Sequence, residues 1–301
     1  MNVRSTIIKS LVTVAAAFAI SACRHSSESN DKVTIAVSLP PQAELLRAIG
    51  GDSINIVTLL RADSNPETFE TSVSDLKSVA SAQAYFKIGN LPFEETLTTK
   101  IGESAPNLTF FDNSKGISLI SGTHSHAHSD DGHHDHNSGN EPIDPHTWSS
   151  VKNLKIIASN MCESLSEIDP KRAAYYADNH ARLQHRLDSI DKAIEYRISS
   201  SAEGASFLIW HPSLSYFARD YGLRQITLGE ENKDMSAKRL RDNIMKAADS
   251  NVKAIFIQKN FDPAQAENVA LQLNITPVEI NPLSADWEGE LNNVTNAIIS
   301  R

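Results

Sequence analysis

The segment from Asp169 to Gly204 limits most severely what this chain can fold into. Tyr176, His180, Leu183, Leu187, Ile190, Ile194 and Ile198 recur there at spacings of three and four, which lines them up on one face of an α-helix. Pro170 suits the first helical turn, with Asp169 as its cap. The roughly 30 residues from Pro170 to Ser199 would reach about 45 Å at 1.5 Å per residue. One small core cannot cover so long a face. The helix reads as a strut between two bodies.

Both flanks of the strut carry the same rhythm. Before it, strand-like runs at Lys32 to Ser38, Ile54 to Leu60 and Ala84 to Ile88 alternate with helical spacing at Gln42 to Ile49 and Thr71 to Ala82. After it, Ser206 to Trp210, Ala254 to Gln258 and Thr276 to Ile280 read as strands, and Ser236 to Ser250 and Pro263 to Leu273 as helices. Alternating strands and helices imply βαβ units and mostly parallel sheets. The expected fold is α/β: two lobes, each with a mostly parallel sheet flanked by helices, joined by one long helix. The expected boundaries are an N-terminal lobe over 33–160, the linking helix over 165–200 and a C-terminal lobe over 205–301. No internal sequence repeat is evident. Hydrophobic residues at 40% and charged residues at 22% supply the cores such lobes need.

Residues 1–22 do not belong to this pattern. Arg4 and Lys9 precede an apolar run from Leu11 to Ile20 and then small residues, the layout of a secretory signal. The run is far shorter than the roughly 20 residues of a membrane-spanning helix. Ile20-Ser21-Ala22-Cys23 resembles a bacterial lipobox, so Cys23 is expected to carry lipid and 23–32 to form a polar tether. Only Cys162 would remain besides it, which precludes an intramolecular disulfide; Cys162 reads as buried packing. Losing Arg4 and Lys9 makes the net charge two units more negative than its −9. An acidic chain without a basic stripe is a poor partner for nucleic acid.

Histidine carries the chemistry. His124, His126, His128, His133, His134 and His136 crowd into a polar stretch, 121–141, that lacks the apolar residues to fold on its own. Imidazole is a common ligand for zinc, copper and nickel, so the stretch reads as an accessory, unselective metal-gathering loop as well as a solvated one. His25 lies in the tether. His180 falls on the apolar stripe, where a hydrogen-bonded packing role is expected. His146 and His211 stand apart. His146 ends the polar stretch just before a helix, and His211 directly follows a strand, where open α/β sheets bind ligands. Taken alone, neither position separates a metal ligand from a packed imidazole.

Several segments together resemble the zinc- and manganese-binding solute-binding proteins of ABC importers. Asp144-Pro145-His146-Thr147-Trp148 looks like a ligand-bearing segment of that family. Trp210-His211, followed by the aromatic run to Tyr221-Gly222-Leu223, is similar to the segment in which zinc-type members carry a second histidine. Ala84 to Gly89, Leu91-Pro92-Phe93-Glu94 and Asp169 to Leu187 match in order and spacing, and a histidine-rich loop before the DPH segment is a zinc-type trait. The resemblance covers essentially the whole mature chain.

Two positions depart from that pattern. Glu67, in Asn65-Pro66-Glu67-Thr68-Phe69-Glu70, stands where the family has its first histidine ligand, and Asn281 stands where an aspartate supplies the fourth. The resemblance therefore implies metal ligands at Glu67, His146 and His211, with Asn281 acting through water or from behind a ligand. Zinc accepts two histidines, a glutamate and a water at roughly 2.0–2.2 Å, though such a set also serves manganese or iron(II). Asp286 and Glu70 are reserve carboxylates. The resemblance implies a monomeric, non-enzymatic receptor that captures zinc and hands it to an ABC permease with its ATPase, as an exported periplasmic or cell-surface lipoprotein held to the membrane at Cys23. Other readings are a manganese or iron(II) receptor, a divergent metal buffer or adhesin relying on the histidine loop, and a zinc hydrolase. The last lacks an HExxH motif and an obvious general base.

Overall fold

A computed structural model describes residues 32–102, 104–121, 143–228, 241–242, 244–245, 250–259 and 264–300. Cys23, the leader, the histidine tract 124–136 and most of the expected helix 236–250 lie outside the described residues.

Two four-stranded parallel sheets form the two lobes. The first contains β1 (Val33–Val37), β2 (Ile54–Thr58), β3 (Ala84–Lys87) and β4 (Thr109–Asp112) in the order β2-β1-β3-β4. The second contains β5 (Ser206–Ile209), β6 (Arg224–Thr227), β7 (Val252–Gln258) and β8 (Pro277–Ile280) in the order β6-β5-β7-β8. The orders are equivalent although no sequence repeat links the halves. What fixes such an order is the handedness of the crossovers and the burial of short apolar runs, and neither needs particular residues. In each sheet the order reverses between the first and third strands, so the loops leaving those two strands diverge and open a crevice.

The strands of the second sheet are covered on both faces, and their side chains alternate accordingly. Phe207, Ile209 and Phe256 join the main core, whereas Leu208, Trp210, Ile255 and Ile257 form a separate cluster with Val269 and Ala270 of α7 (Ala264–Leu273). Crossovers in the first lobe are α1 (Pro40–Gly50), α2 (Val73–Ala80) and α3 (Pro92–Gly102). Ser72 caps α2 by accepting the Asp75 N–H, and the Asp75 carboxylate accepts the Ser72 N–H in return, a reciprocal pair that fixes where this helix begins.

The strut is present. After α4 (Val151–Ile168), a 3₁₀ turn at Pro170–Arg172 leads into α5 (Ala173–Ser201), 29 residues long. Tyr176, Leu183, Leu187, Ile190, Ile194 and Ile198 are all buried, and each large aliphatic side chain so buried contributes about 1.5–3 kcal/mol. His180 sits half-buried between Ser159 Oγ (3.2 Å) and Gln184 Nε2 (2.9 Å), the packing role expected of it. One expectation fails: Asp169 does not cap the helix. Its carboxylate instead accepts from Arg172 (2.6 Å) and Tyr176 Oη (2.7 Å), so the first turn tightens and the α-helix starts at Ala173.

Each end of α5 is tied to a different lobe. Near its start, Asn179 Nδ2 donates to the Ile49 carbonyl of α1 (2.7 Å). Near its end, Arg197 donates to Asn292 and Asn296 of α8 (Trp287–Ile299). α6 (Ser215–Asp220) is followed by Tyr221, whose Oη donates to Asp191 of α5 (2.9 Å). Cys162 is buried in α4, and burial pushes its thiol pKa up, in keeping with a packing role. No helix among the described residues is long and apolar enough to cross a membrane.

Candidate metal centre

Three segments far apart in sequence meet in the crevice. The first is the loop between β2 and α2. Asn65 Oδ1 accepts the Glu67 N–H at 2.9 Å, and Phe69 packs edge-on against Phe93 with centroids 5.1 Å apart. These two anchors hold a short irregular loop and turn Glu67 inward; its side chain is only 12% exposed.

The second segment carries His146, which is 3% exposed. Asp144 Oδ1 accepts the His146 backbone N–H (2.9 Å) and faces Nδ1 of the ring (2.8 Å). A carboxylate at Nδ1 keeps the proton there and leaves the Nε2 lone pair available to a metal. Burial alone would raise the Asp144 carboxyl, but its contacts with His146 outweigh that and hold it below the usual carboxylate range. Tyr216 Oη donates to the Asp144 carbonyl (2.7 Å) and accepts the Ile120 N–H (3.2 Å). Trp148, whose ring lies 5.2 Å from that of His146, donates from Nε1 to the Pro282 carbonyl at 2.9 Å.

The third segment leaves β5 at the strand-order reversal, where the ladder can no longer satisfy the backbone. Gln258, the last residue of β7 and 4% exposed, takes over. Its Oε1 accepts the His211 N–H (3.2 Å), and its Nε2 donates to the His211 carbonyl (2.7 Å) and to Ser213 Oγ (2.8 Å). His211 is thereby fixed in the crevice, 7% exposed.

The three side chains close a triangle. His211 Nε2 lies 3.0 Å from Glu67 Oε1 and 3.2 Å from His146 Nε2, and the third edge, His146 Nε2 to Glu67 Oε1, is 3.9 Å. Tetrahedral zinc with bonds of roughly 2.0–2.1 Å sets its donor atoms about 3.3 Å apart, and the three edges straddle that spacing. Burial pushes the Glu67 carboxyl up, yet the hydrogen bond from His211 and the two imidazoles prevail, leaving it below the usual carboxylate range. A lowered carboxyl favours the ionised form that metal ligation requires. Among the described residues, Glu67, His146 and His211 are the group of three with metal-ligand spacing.

Asn281 lines the same cavity, which measures about 30 Å³. Its Oδ1 accepts the Leu283 N–H at 3.0 Å, and its own N–H donates to the Glu290 carboxylate. The reserve carboxylates are elsewhere: Asp286 caps α8 by accepting the Gly289 N–H at 3.0 Å, and Glu70 is exposed. Two supporting residues are not evident from the sequence. Asp144 belongs to the DPH segment but has no role assigned by it, though an acid two residues before a candidate ligand histidine is a usable signal. Gln258 carries no signal beyond ending a strand.

The family model described as "Zinc-uptake complex component A periplasmic" (ZnuA) matches residues 35–298. Among curated proteins, the zinc-binding protein AdcA of Streptococcus pyogenes serotype M3 is 26% identical over 309 residues, covering 97% of this chain and 58% of AdcA. The chain thus spans little more than half the length of that relative. A putative metal-binding protein of Chlamydia trachomatis serovar D is 26% identical over 269 residues, covering 88% of this chain and 90% of that protein. A crystal structure of ZnuA superposes with a TM-score of 0.79 at 28% identity, covering 90% of this chain and 99% of the other. The laminin-binding adhesin Lmb of Streptococcus agalactiae shares the fold, with a TM-score of 0.76 at 18% identity over 88% of this chain and 99% of its own. The match over 35–298, on a two-lobed frame with a triangle of metal donors in its crevice, places this chain in the ZnuA family, the periplasmic A components of zinc-uptake complexes.

Proposed function

We propose that this protein is a zinc receptor of the cell envelope, capturing the ion as cargo at Glu67, His146 and His211 for an ABC importer. The observation that carries the reading is the triangle itself, with buried donor atoms supplied by three separate segments at spacings that suit tetrahedral zinc. Family membership and the names of the AdcA relatives support the choice of zinc. The partners are a membrane permease and its ATPase. The chain works outside the inner membrane as a monomer held by lipid at Cys23, with the 124–136 histidine tract as an accessory metal-gathering segment; a pneumococcal relative named a zinc-binding lipoprotein supports the anchor.

Capture and release need no bond making beyond coordination. Glu67 rides on a loop of the first lobe, His211 on the second, and α5 packs against both, so the lobes can shift only slightly. Displacing either donor by about an ångström is enough to lose a coordination bond of roughly 2 Å. A permease that draws one loop aside therefore frees the ion. Imidazole must be neutral to ligate, so acid also promotes release.

Calorimetry on metal-stripped protein tests the reading. Zinc should bind at one tight site, manganese more weakly, and Glu67→Ala should cost at least about tenfold in zinc affinity, the loss of one charged ligand. Zinc binding left intact by Glu67→Ala and by His211→Ala together would place the tight site elsewhere and sink the proposal.

A further inference from the structure

We propose that a small monoanion from solution, a carboxylate or a halide, completes the coordination of the captured ion, held in place by Asn281 and Lys259. This rests on the three-donor site proposed above and deepens it. Among the described residues, Glu67, His146 and His211 supply one face of a tetrahedron, and no fourth side chain joins them at metal-ligand spacing. The cavity beside His146 and His211, about 30 Å³, has room for on the order of two water-sized occupants: the ion and the ligating atom of a small companion.

The chemistry of the walls selects the companion. Among the described residues, those lining this cavity carry no carboxylate, whereas Lys259 and the Asn281 amide both line it. A divalent ion bound by one carboxylate and two neutral imidazoles keeps a net positive charge in a buried setting, where charge is costly. Lys259 adds a second positive charge. Asp63 offsets that charge only in part, because it pairs first with Arg61 at 2.8 Å. The amide of Asn281 supplies the matching hydrogen bond. Its Oδ1 already accepts the Leu283 N–H, and its NH₂ group donates readily to an anion. Its backbone is held by the Glu290 carboxylate, and Trp148 anchors the neighbouring Pro282 carbonyl, so the amide is a fixed donor. A tethered acid at this position would repel an incoming anion; an amide recruits one. The fourth ligand is therefore exchangeable, and cargo affinity depends on the supply of a second, anionic solute.

Cobalt(II) provides a visible probe. Full-length, metal-stripped protein is loaded with one equivalent of Co²⁺ in a buffer of non-coordinating ions, and its ligand-field absorption is followed while sodium azide or sodium acetate is added. The expected result is a saturable spectral change with both anions. Lys259→Met should raise the half-saturating concentration severalfold. Asn281→Asp should abolish the response, because its own carboxylate fills the open vertex. Absorption that depends on His146 and His211 yet stays unmoved by either anion overturns the proposal and leaves the metal site standing. An Asn281→Asp variant that responds like the parent overturns it as well. Absorption indifferent to His146→Ala and His211→Ala removes the site and the proposal together.

Discussion

The two lobes solve one topological problem in opposite ways. In each, strand order reverses and two loops part, and in each a buried glutamine bridges the gap. Gln258 clasps the His211 backbone from both sides. In the first lobe Gln42 accepts the Ser38 N–H (2.9 Å) and donates to the Phe86 carbonyl (2.8 Å). Beyond the clasp the lobes diverge. The first fills its crevice with itself: the Glu94 carboxylate accepts from Ile88 N (2.8 Å), Gly89 N (2.9 Å) and Ser38 Oγ, while Ser38 also pairs with Tyr85 Oη at 2.7 Å. The second lobe directs His211 outward to meet groups from elsewhere in the chain. One crevice became core and the other a site. Topology creates the opportunity for a binding site, and the side chains beyond the clasp decide whether it is used.

The sharpest way to break this comparison is to remove His211. His211→Ala should lower zinc affinity by on the order of 100-fold or more, beyond the roughly 10–100-fold that supporting groups cost, while the melting temperature of the metal-free protein stays nearly constant. Chelator competition and thermal unfolding, run in parallel, separate the two effects. A large loss of metal-free stability would mean that this crevice is core as well.

The closed crevice makes the complementary forecast. Burial raises the Glu94 pKa to about 7, above the value near 4.5 it has in an unfolded chain, so the native state binds that proton more tightly. Its contribution to stability is complete below about pH 4.5, fades as pH rises through 7 and is gone above it. Denaturant titrations from mildly acid to mildly alkaline pH should show a fall on the order of 2 kcal/mol that Glu94→Gln flattens. An unchanged slope in that variant would assign the pH dependence to another group.

Exchanging the clasps sharpens the contrast at smaller scale. Gln42→Leu and Gln258→Leu each strand buried backbone groups, and each should cost roughly 1–3 kcal/mol of stability. Only Gln258→Leu should also weaken zinc, because it alone supports a proposed ligand, His211. Equal effects on zinc would show that the two crevices are coupled through α5.

Much of this is legible in the sequence, and the gaps have physical reasons. The α5 stripe and the apolar strands β1, β5 and β7 declare themselves, since burial on two faces leaves little choice of residue. Strands β4 and β6 are not anticipated: both lie at sheet edges, and Thr109–Asp112 and Arg224–Thr227 have no buried member. Helix α8 also goes unanticipated, although Trp287, Leu291, Val294 and Ile298 are buried at helical spacing. Glu67, His146 and His211 are located by resemblance and by their places after strands. Asp144 and Gln258 act only through tertiary hydrogen bonds, which no local pattern encodes.

The metal triangle carries one more consequence. His146 and His211 are 65 positions apart in the chain, and Glu67 lies further upstream, so no local fragment contains the set. A polypeptide still being threaded or still unfolded cannot assemble this triangle, so any metal it holds must wait until both lobes have folded. Once seated, the ion ties remote stretches together and resists unravelling in proportion to its own affinity. On the proposed reading, losing the ion also loosens the fold, so the metal-free protein should be the more readily cleared by proteases.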